Sequence, residues 1–89
     1  MQQRIRITIS GQVQGVYFRS SAATEAERLN IAGFAKNQPD GTLLIEAEGS
    51  PDDVEAFLNW CRKGPKLAQV SHVSLDEMEP LAEVGFKIV

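Results

Sequence analysis

The chain has 89 residues, of which 43% are hydrophobic and 24% are charged, and its formal net charge is −3 at pH 7. This mixture predicts one globular domain over residues 1–89 and excludes disordered and collagen-like chains, and no apolar run approaches the ~20 residues that a membrane-spanning helix needs. The N-terminal segment also lacks the apolar stretch of a signal peptide, so we expect a cytoplasmic protein.

The N-terminal segment predicts a strand, a loop and a helix. Residues 4–10 alternate strictly between polar residues and isoleucine, which is the pattern of a strand with one buried face. Residues 11–17 form a glycine-containing connection to the next element. Apolar residues at helical spacing begin at Phe18, and Asn30 is a suitable stop for this helix.

The middle of the chain predicts two strands joined by a tight turn. Residues 31–37 are short and mixed in character, whereas residues 42–48 alternate and place three apolar side chains on one face. Between them, Gln38–Gly41 combines a proline with an Asp-Gly pair, which is typical of a turn.

The C-terminal half predicts a second helix and two last strands. A serine, a proline and two aspartates follow one another from Ser50, an order that suits a helix N-cap and first turn. The helix ends at Gly64. Residues 70–76 and 84–89 are predicted as strands around a turn at Glu79-Pro80.

The predicted order is therefore β-α-β-β-α-β with a short extra C-terminal strand. This split βαβ arrangement predicts an α+β fold in which two helices lie on one face of a mainly antiparallel sheet. The apolar faces of the strands over residues 4–10 and 42–48 bury the helix stripes that contain Phe18 and Phe57.

The loop between the first strand and the first helix is the segment where we expect chemistry. Residues 11–19 contain no proline, so every backbone N–H can donate, and Gly15 permits a positive φ or the close approach of a ligand. The loop leads into a helix N-terminus, which favours an anion, and Arg19 offers donors that match phosphate. From these residues alone, an anion site and an ordinary tight connection both remain open.

The charge distribution bears on the same loop. No acidic residue precedes Glu25, and residues 1–24 contain three arginines. The rest of the chain has six basic residues against twelve acidic ones. An acidic protein has thus kept one segment free of carboxylates, which suits an anion site there.

Two motifs in this chain resemble the signatures of the acylphosphatase family. The first is Gly11–Arg19 (GQVQGVYFR) and the second is Gly33–Gly41 (GFAKNQPDG), with a weaker third match at Lys63–Val70. The resemblance spans the whole chain, and the order and spacing of the two motifs make it specific.

The second motif departs from the commonest family pattern at three positions. Phe34 stands where Trp or Tyr is usual, Ala35 where Val is usual, and Lys36 where Arg is usual. The changes leave Arg19 and Asn37 intact, so they bear on efficiency more than on activity.

The resemblance implies a ferredoxin-like α/β sandwich that hydrolyses acyl phosphates to a carboxylate and inorganic phosphate. It implies that Arg19 and the loop amides bind the phosphate, and that Asn37 orients the attacking water. The implied phosphate-binding residues are Gln14, Gly15, Val16, Tyr17, Phe18 and Arg19. The family's mechanism uses no metal ion and no organic cofactor, so we expect neither here.

A site of this composition suits the chemistry of an acyl phosphate. The leaving group is a carboxylate with a pKa of about 4, so it departs without a proton and needs no general acid. Phosphoryl transfer depends mainly on positioning and charge stabilisation, which Arg19, the loop N–H groups and Asn37 can supply. An unactivated phosphate monoester is a poor substrate for such a site, because its alkoxide leaves poorly.

Several other residues have ordinary structural interpretations. His72 is expected to face solvent, and Lys36 is expected to be solvated because it alternates with Asn37 along a strand. Cys61, the only cysteine, lies on the apolar stripe of the second helix and is expected in the core. With no second cysteine, the chain is not expected to form a metal site with cysteine ligands. Trp60 lies off that stripe and is expected to be partly exposed. Without the motif, Asn37 itself is better explained as a turn residue.

Two other functions share this topology. An RNA-recognition module needs aromatic residues on the open face of its sheet, but here that face has none and carries Glu46 and Glu48, so we expect no nucleic-acid partner. A regulatory module that binds an anion without turnover is the serious alternative. We expect a monomer with no membrane partner, which takes a small acyl phosphate and releases inorganic phosphate.

Overall fold

The computed structural model describes all 89 residues. They form five strands and two helices: β1 (Gln3–Gln12), α1 (Phe18–Arg28), β2 (Ala32–Asn37), β3 (Leu43–Gly49), α2 (Pro51–Lys63), β4 (Gln69–Met78) and β5 (Phe86–Ile88). The sheet order is β4-β1-β3-β2-β5, and only the β2–β5 pair is parallel. The predicted α+β fold, with two helices on a mainly antiparallel sheet, is confirmed. Neither helix is long and apolar enough to cross a membrane.

The core lies between the sheet and the two helices, where alternation along the strands predicted it. β1 and β3 pair so that Ile7 lies opposite Ile45, and the apolar residues on either side follow the same register. The helices bury their apolar stripes against this face. The core consists of Ile5, Ile7, Ile9, Val13, Phe18, Ala22, Ala26, Ile31, Ala35, Leu43, Ile45, Ala47, Val54, Phe57 and Cys61.

The second helix begins and ends as its sequence predicts. The hydroxyl oxygen of Ser50 accepts a hydrogen bond from the backbone N–H of Asp53 at 3.3 Å, and Pro51 occupies the first turn. Gly64 closes the helix, and its N–H donates to the carbonyl of Trp60 at 2.7 Å. Trp60 is half-buried and packs edge-on against Phe18, with ring centroids 5.4 Å apart.

The last two strands do not meet around the predicted turn at Glu79-Pro80. β4 pairs with β1 at one edge of the sheet, and β5 pairs with β2 at the other. Residues 79–85 therefore form a crossover over the face of the sheet that the helices leave open. Tertiary packing accompanies this path: Phe86 is half-buried and packs against the core, with its ring 5.8 Å from that of Phe57.

The crossover covers charged side chains that alternation places on the open face. Arg4 is only 1% exposed, and Glu46 and Glu48 are 5% and 2% exposed. The guanidinium of Arg4 lies between both carboxylates, with Nη2 2.7 Å from Glu46 Oε1 and Nη1 3.0 Å from Glu48 Oε1. Burial of these groups is the main departure from the sequence-based picture of an open polar face.

We expect the Cys61 thiol to be unreactive in the folded protein. Cys61 is fully buried, and burial raises the pKa of its thiol above the usual range, so little thiolate exists at neutral pH. Alkylation by iodoacetamide at pH 8 should be at least about 100-fold slower in buffer than in guanidinium chloride. Mass spectrometry over time measures the rate, and Cys61→Ala is the blank. Rapid alkylation of the native protein would contradict core burial.

Candidate active site

The loop before α1 presents a row of backbone donors that nothing in the chain accepts. It ends at Tyr17, which has a φ of 64° and caps the helix with no side-chain hydrogen bond. No carbonyl or side chain accepts from the backbone N–H groups of residues 14–20. The first turn of α1 has no acidic residue. Free donors and an uncompensated helix dipole at one point are features that favour an anion.

Gly15 has the conformation that this loop requires. Its φ is 73°, in the left-handed region, and a Cβ built on it would meet no atom within 4 Å. The glycine is therefore needed for its backbone angle and not to avoid a packing clash.

Gln14 fixes this loop to the β2–β3 turn. Its side-chain Nε2 donates to the main-chain oxygens of Gln38 at 2.8 Å and Thr42 at 3.0 Å. Asp40 braces the same turn, because its Oδ1 accepts from both the hydroxyl and the N–H of Thr42, and these bonds lower the pKa of the Asp40 carboxyl. The Gln14 side chain thus holds the loop, while its N–H remains free.

Arg19 is held at the start of α1 by the C-terminal segment. Its Nη1 donates to the main-chain oxygen of Val89 at 2.9 Å. Val89 is fixed in turn, because its N–H donates to the carbonyl of Ala35 in β2 at 2.9 Å. One bond uses one of the five guanidinium donors, so four remain to bind a ligand.

Asn37, the last residue of β2, carries an unsatisfied acceptor. Its side-chain Oδ1 is buried and has no hydrogen-bond partner. A buried polar atom without a partner costs stability, and such atoms are rare in folded proteins. The turn that follows is closed by other groups, with Gln38 N–H donating to the Thr42 carbonyl. The Asn37 side chain has no hydrogen bond to that turn, so the turn-residue interpretation loses its support.

One pocket of about 460 Å³ brings these groups together. It lies between the loop, the first turn of α1, the end of β2 and β5. It is lined by Val13, Gly15, Tyr17, Phe18, Arg19, Ser20, Asn37 and Ile88. Arg19 and Asn37, which are 18 positions apart in the sequence, thus share one site. No Asp or Glu side chain lines it.

Some of the predicted site residues line the pocket and others do not. Gly15, Tyr17, Phe18 and Arg19 line the pocket together with Asn37. Gln14 and Val16 do not line it: the first reaches the turn through its side chain, and the second packs against the core. Their contribution is limited to their backbone N–H groups.

Sequence reasoning missed Ser20 and Ile88, which line the pocket, and Val89, which accepts a hydrogen bond from Arg19. The Ser20 hydroxyl donates to the carbonyl of Tyr17 at 3.1 Å. The only sequence signal for Ser20 was its position directly after Arg19 in the first turn of α1. No local signal identifies Ile88 and Val89, because they reach the pocket only through the crossover.

The residues set aside as structural lie outside the pocket. Lys36 is exposed, on the opposite side of β2 from Asn37, as alternation predicted. His72 is exposed on β4, where it lies opposite Ser10. No group of three His, Cys, Asp or Glu side chains converges anywhere in the chain to hold a metal ion.

Comparison with known proteins shows which family this chain resembles. The family model described as acylphosphatase matches residues 5–88. An acylphosphatase of Nocardioides sp. is 47% identical over 75 residues, which are 84% of this chain and 76% of the relative. An acylphosphatase of Thermococcus kodakarensis is 44% identical over 86 residues, which are 97% of this chain and 94% of the relative.

A solved structure gives the same result for the fold. The crystal structure of acylphosphatase from Bacillus subtilis superimposes with a TM-score of 0.95 at 33% identity, covering 100% of this chain and 99% of that one. The match includes both signature segments and the strands that position them. The resemblance drawn from the two motifs is confirmed: this chain belongs to the acylphosphatase family, whose members are hydrolases that act on acid anhydrides.

Proposed function

We propose that this chain hydrolyses the carboxyl–phosphate bond of acyl phosphates to a carboxylate and inorganic phosphate. The observation that carries the proposal is the single pocket in which free loop N–H groups, Arg19 and the unpaired oxygen of Asn37 meet. All the groups proposed to act in the reaction come from one chain, which we take as a single domain over residues 1–89. A monomer is therefore sufficient for activity.

The phosphate is bound by the loop and by Arg19. The N–H groups of residues 14–18 point their partial positive charge at three phosphate oxygens, and the N-terminus of α1 adds its dipole. Arg19 contributes a full charge and two parallel donors. No Asp or Glu side chain lines the pocket to oppose the phosphate, so these groups stabilise the charge on the equatorial oxygens as the bond to the leaving group weakens.

Arg19 performs this role because its orientation is set in advance. The bond from Nη1 to the main-chain oxygen of Val89 restricts the guanidinium before a substrate arrives. A side chain that is already ordered loses less rotamer entropy on binding. The charge of Arg19 thus substitutes for a metal ion in neutralising the phosphate, so we propose a metal-independent reaction.

Asn37 holds the attacking water. Its Oδ1 accepts a hydrogen bond from one O–H of the water, which points the water oxygen at phosphorus. The water oxygen bonds to phosphorus as the bond from phosphorus to the carboxyl oxygen breaks, and the electron pair leaves with the carboxylate. The second water proton passes to a phosphate oxygen of the substrate. No protein group has to change its protonation state.

Arg19 variants test the phosphate contact. Arg19→Ala should reduce hydrolysis of an aryl acyl phosphate by about 10²-fold or more, the cost of losing preorganised charge stabilisation. Arg19→Lys should rescue poorly, because lysine lacks the planar fork. Initial rates are measured in the presence of a chelator. Arg28→Ala is the matched control, since Arg28 is on the same helix and pairs only with Glu25. A fully active Arg19→Lys protein would rule out the bidentate contact.

Asn37→Ala separates the enzyme from an anion-binding module. The variant should keep most of the rise in melting temperature that inorganic phosphate produces, yet lose turnover by about 10²-fold or more. Circular dichroism verifies its fold, and Asn59→Ala, an exposed site on α2, is the control. Normal turnover would reject the water-holding role. Phosphate binding by the wild-type protein with no hydrolysis of any acyl phosphate would favour the binding module.

Gln14→Ala tests whether the loop must be tethered. Loss of the two bonds to the β2–β3 turn should raise the dissociation constant for inorganic phosphate by about five-fold, equivalent to roughly 1 kcal/mol of lost preorganisation. Isothermal titration calorimetry measures it. Gln12→Ala, an exposed glutamine with no side-chain bond at the end of β1, should leave the constant unchanged. Equal effects of the two substitutions would show that the tether has no role.

A further inference from the structure

A buried ionic cluster lies on the face of the sheet opposite the helices, and the proposed mechanism uses none of it. Arg4 pairs with Glu46 and Glu48 at its centre. Arg6 donates to Glu46 Oε2 from both Nε and Nη2, at 3.1 and 3.0 Å. Glu83, from the crossover, brings its Oε1 to 2.8 Å from Arg4 Nη1. Three carboxylates thus surround two guanidiniums.

Stability alone is a weak explanation for this cluster. Removing charges from water costs about as much as their attraction returns, and apolar replacements of buried ion pairs are often as stable. Alternation would allow apolar residues in place of Arg4, Glu46 and Glu48, because these three are buried. The contacts that the cluster makes beyond itself are therefore the more informative feature.

Glu48 binds the backbone of the crossover, whereas Glu46 does not. The Leu81 N–H donates to Glu48 Oε1 at 2.8 Å, and this bond lowers the pKa of the Glu48 carboxyl. The only backbone–backbone hydrogen bond of residues 79–85 is the one that the Gly85 carbonyl accepts from Gly33. The side chain of Leu81 is largely exposed. The carboxylate of Glu48 thus holds the backbone of this segment, whereas the Glu83–Arg4 ion pair holds a side chain of it.

The crossover determines the position of β5, which forms one side of the pocket. It leads into β5, which has three residues and pairs only with β2. Ile88 lines the pocket, and the main-chain oxygen of Val89 accepts from Arg19. Such a short parallel strand has few bonds of its own to fix its position. A displaced crossover would therefore move the acceptor that orients Arg19.

We propose that Glu48 is a positioning residue for Arg19. By holding Leu81, it fixes the crossover and β5, and through Val89 it sets the guanidinium on the other side of the sheet. The effect on phosphate binding rests on the proposed function of Arg19. The effect on the position of Val89 does not.

The test compares Glu48→Met with Glu46→Met. Both residues are buried on β3 and bind Arg4, and either substitution leaves two carboxylates for two guanidiniums, so the pair is matched in burial and charge. Glu48→Met should raise the dissociation constant for inorganic phosphate by about five-fold or more, within the range of coupling through a structural element. It should also accelerate amide exchange at Val89. Glu46→Met should change phosphate affinity less than about two-fold.

Each outcome decides the proposal. Equal losses of phosphate affinity in the two variants, or no loss in Glu48→Met, would overturn it. If either methionine variant does not fold, Glu48→Gln and Glu46→Gln keep the shape of the side chains and are compared in the same way, with a smaller expected difference. If the wild-type protein binds no phosphate, the proposed function fails, and the exchange rate of the Val89 amide alone decides whether Glu48 holds the crossover.

Discussion

The register between β1 and β3 is the constraint on which the rest of the structure depends. With Ile7 opposite Ile45, every second residue of both strands faces the helices. The intervening residues, Arg4 with Glu46 and Glu48 among them, then share the other face. A slip of one residue would exchange the two faces, placing charge under the helices and isoleucine under the crossover. In the same register, Ile9 near the end of β1 and Asn37 at the end of β2 both lie opposite Leu43 of β3. The loop that follows β1 therefore lies beside the end of β2, and Arg19 and Asn37 line one pocket.

The site is built from groups that the fold leaves unsatisfied. An ordinary helix of this length would begin with a serine or aspartate cap and acids in its first turn, as α2 does. α1 begins instead with a left-handed tyrosine and free N–H groups. Asn37 adds a buried oxygen without a partner. Each feature costs some stability, and each is a donor or acceptor directed at the same pocket, which is where local rules are expected to fail for function.

Sequence patterns predicted the elements well because alternation, caps and turn residues act locally. The strands, both helices and the core place of Cys61 follow from such signals. Local signals do not specify which strands pair with each other, so the crossover and the burial of Arg4 were missed. From the residues alone, Asn37 was better explained by the turn, and only the two motifs predicted a shared site with Arg19. Val89 has no such motif, because its contact with Arg19 depends on the path of residues 79–85.

The strand order also has a kinetic consequence. β1 must wait for β4 before its outer edge is paired, and Arg4 lies opposite Met78, 74 positions later in the chain. β2 likewise completes its pairing only with β5. Folding is slowed when contacts join distant parts of a chain, since loop closure must precede the gain from pairing. The part of the chain before α2 holds the three inner strands, but both edge strands come after α2, so a nascent chain on the ribosome has no finished pocket until its last strand has emerged.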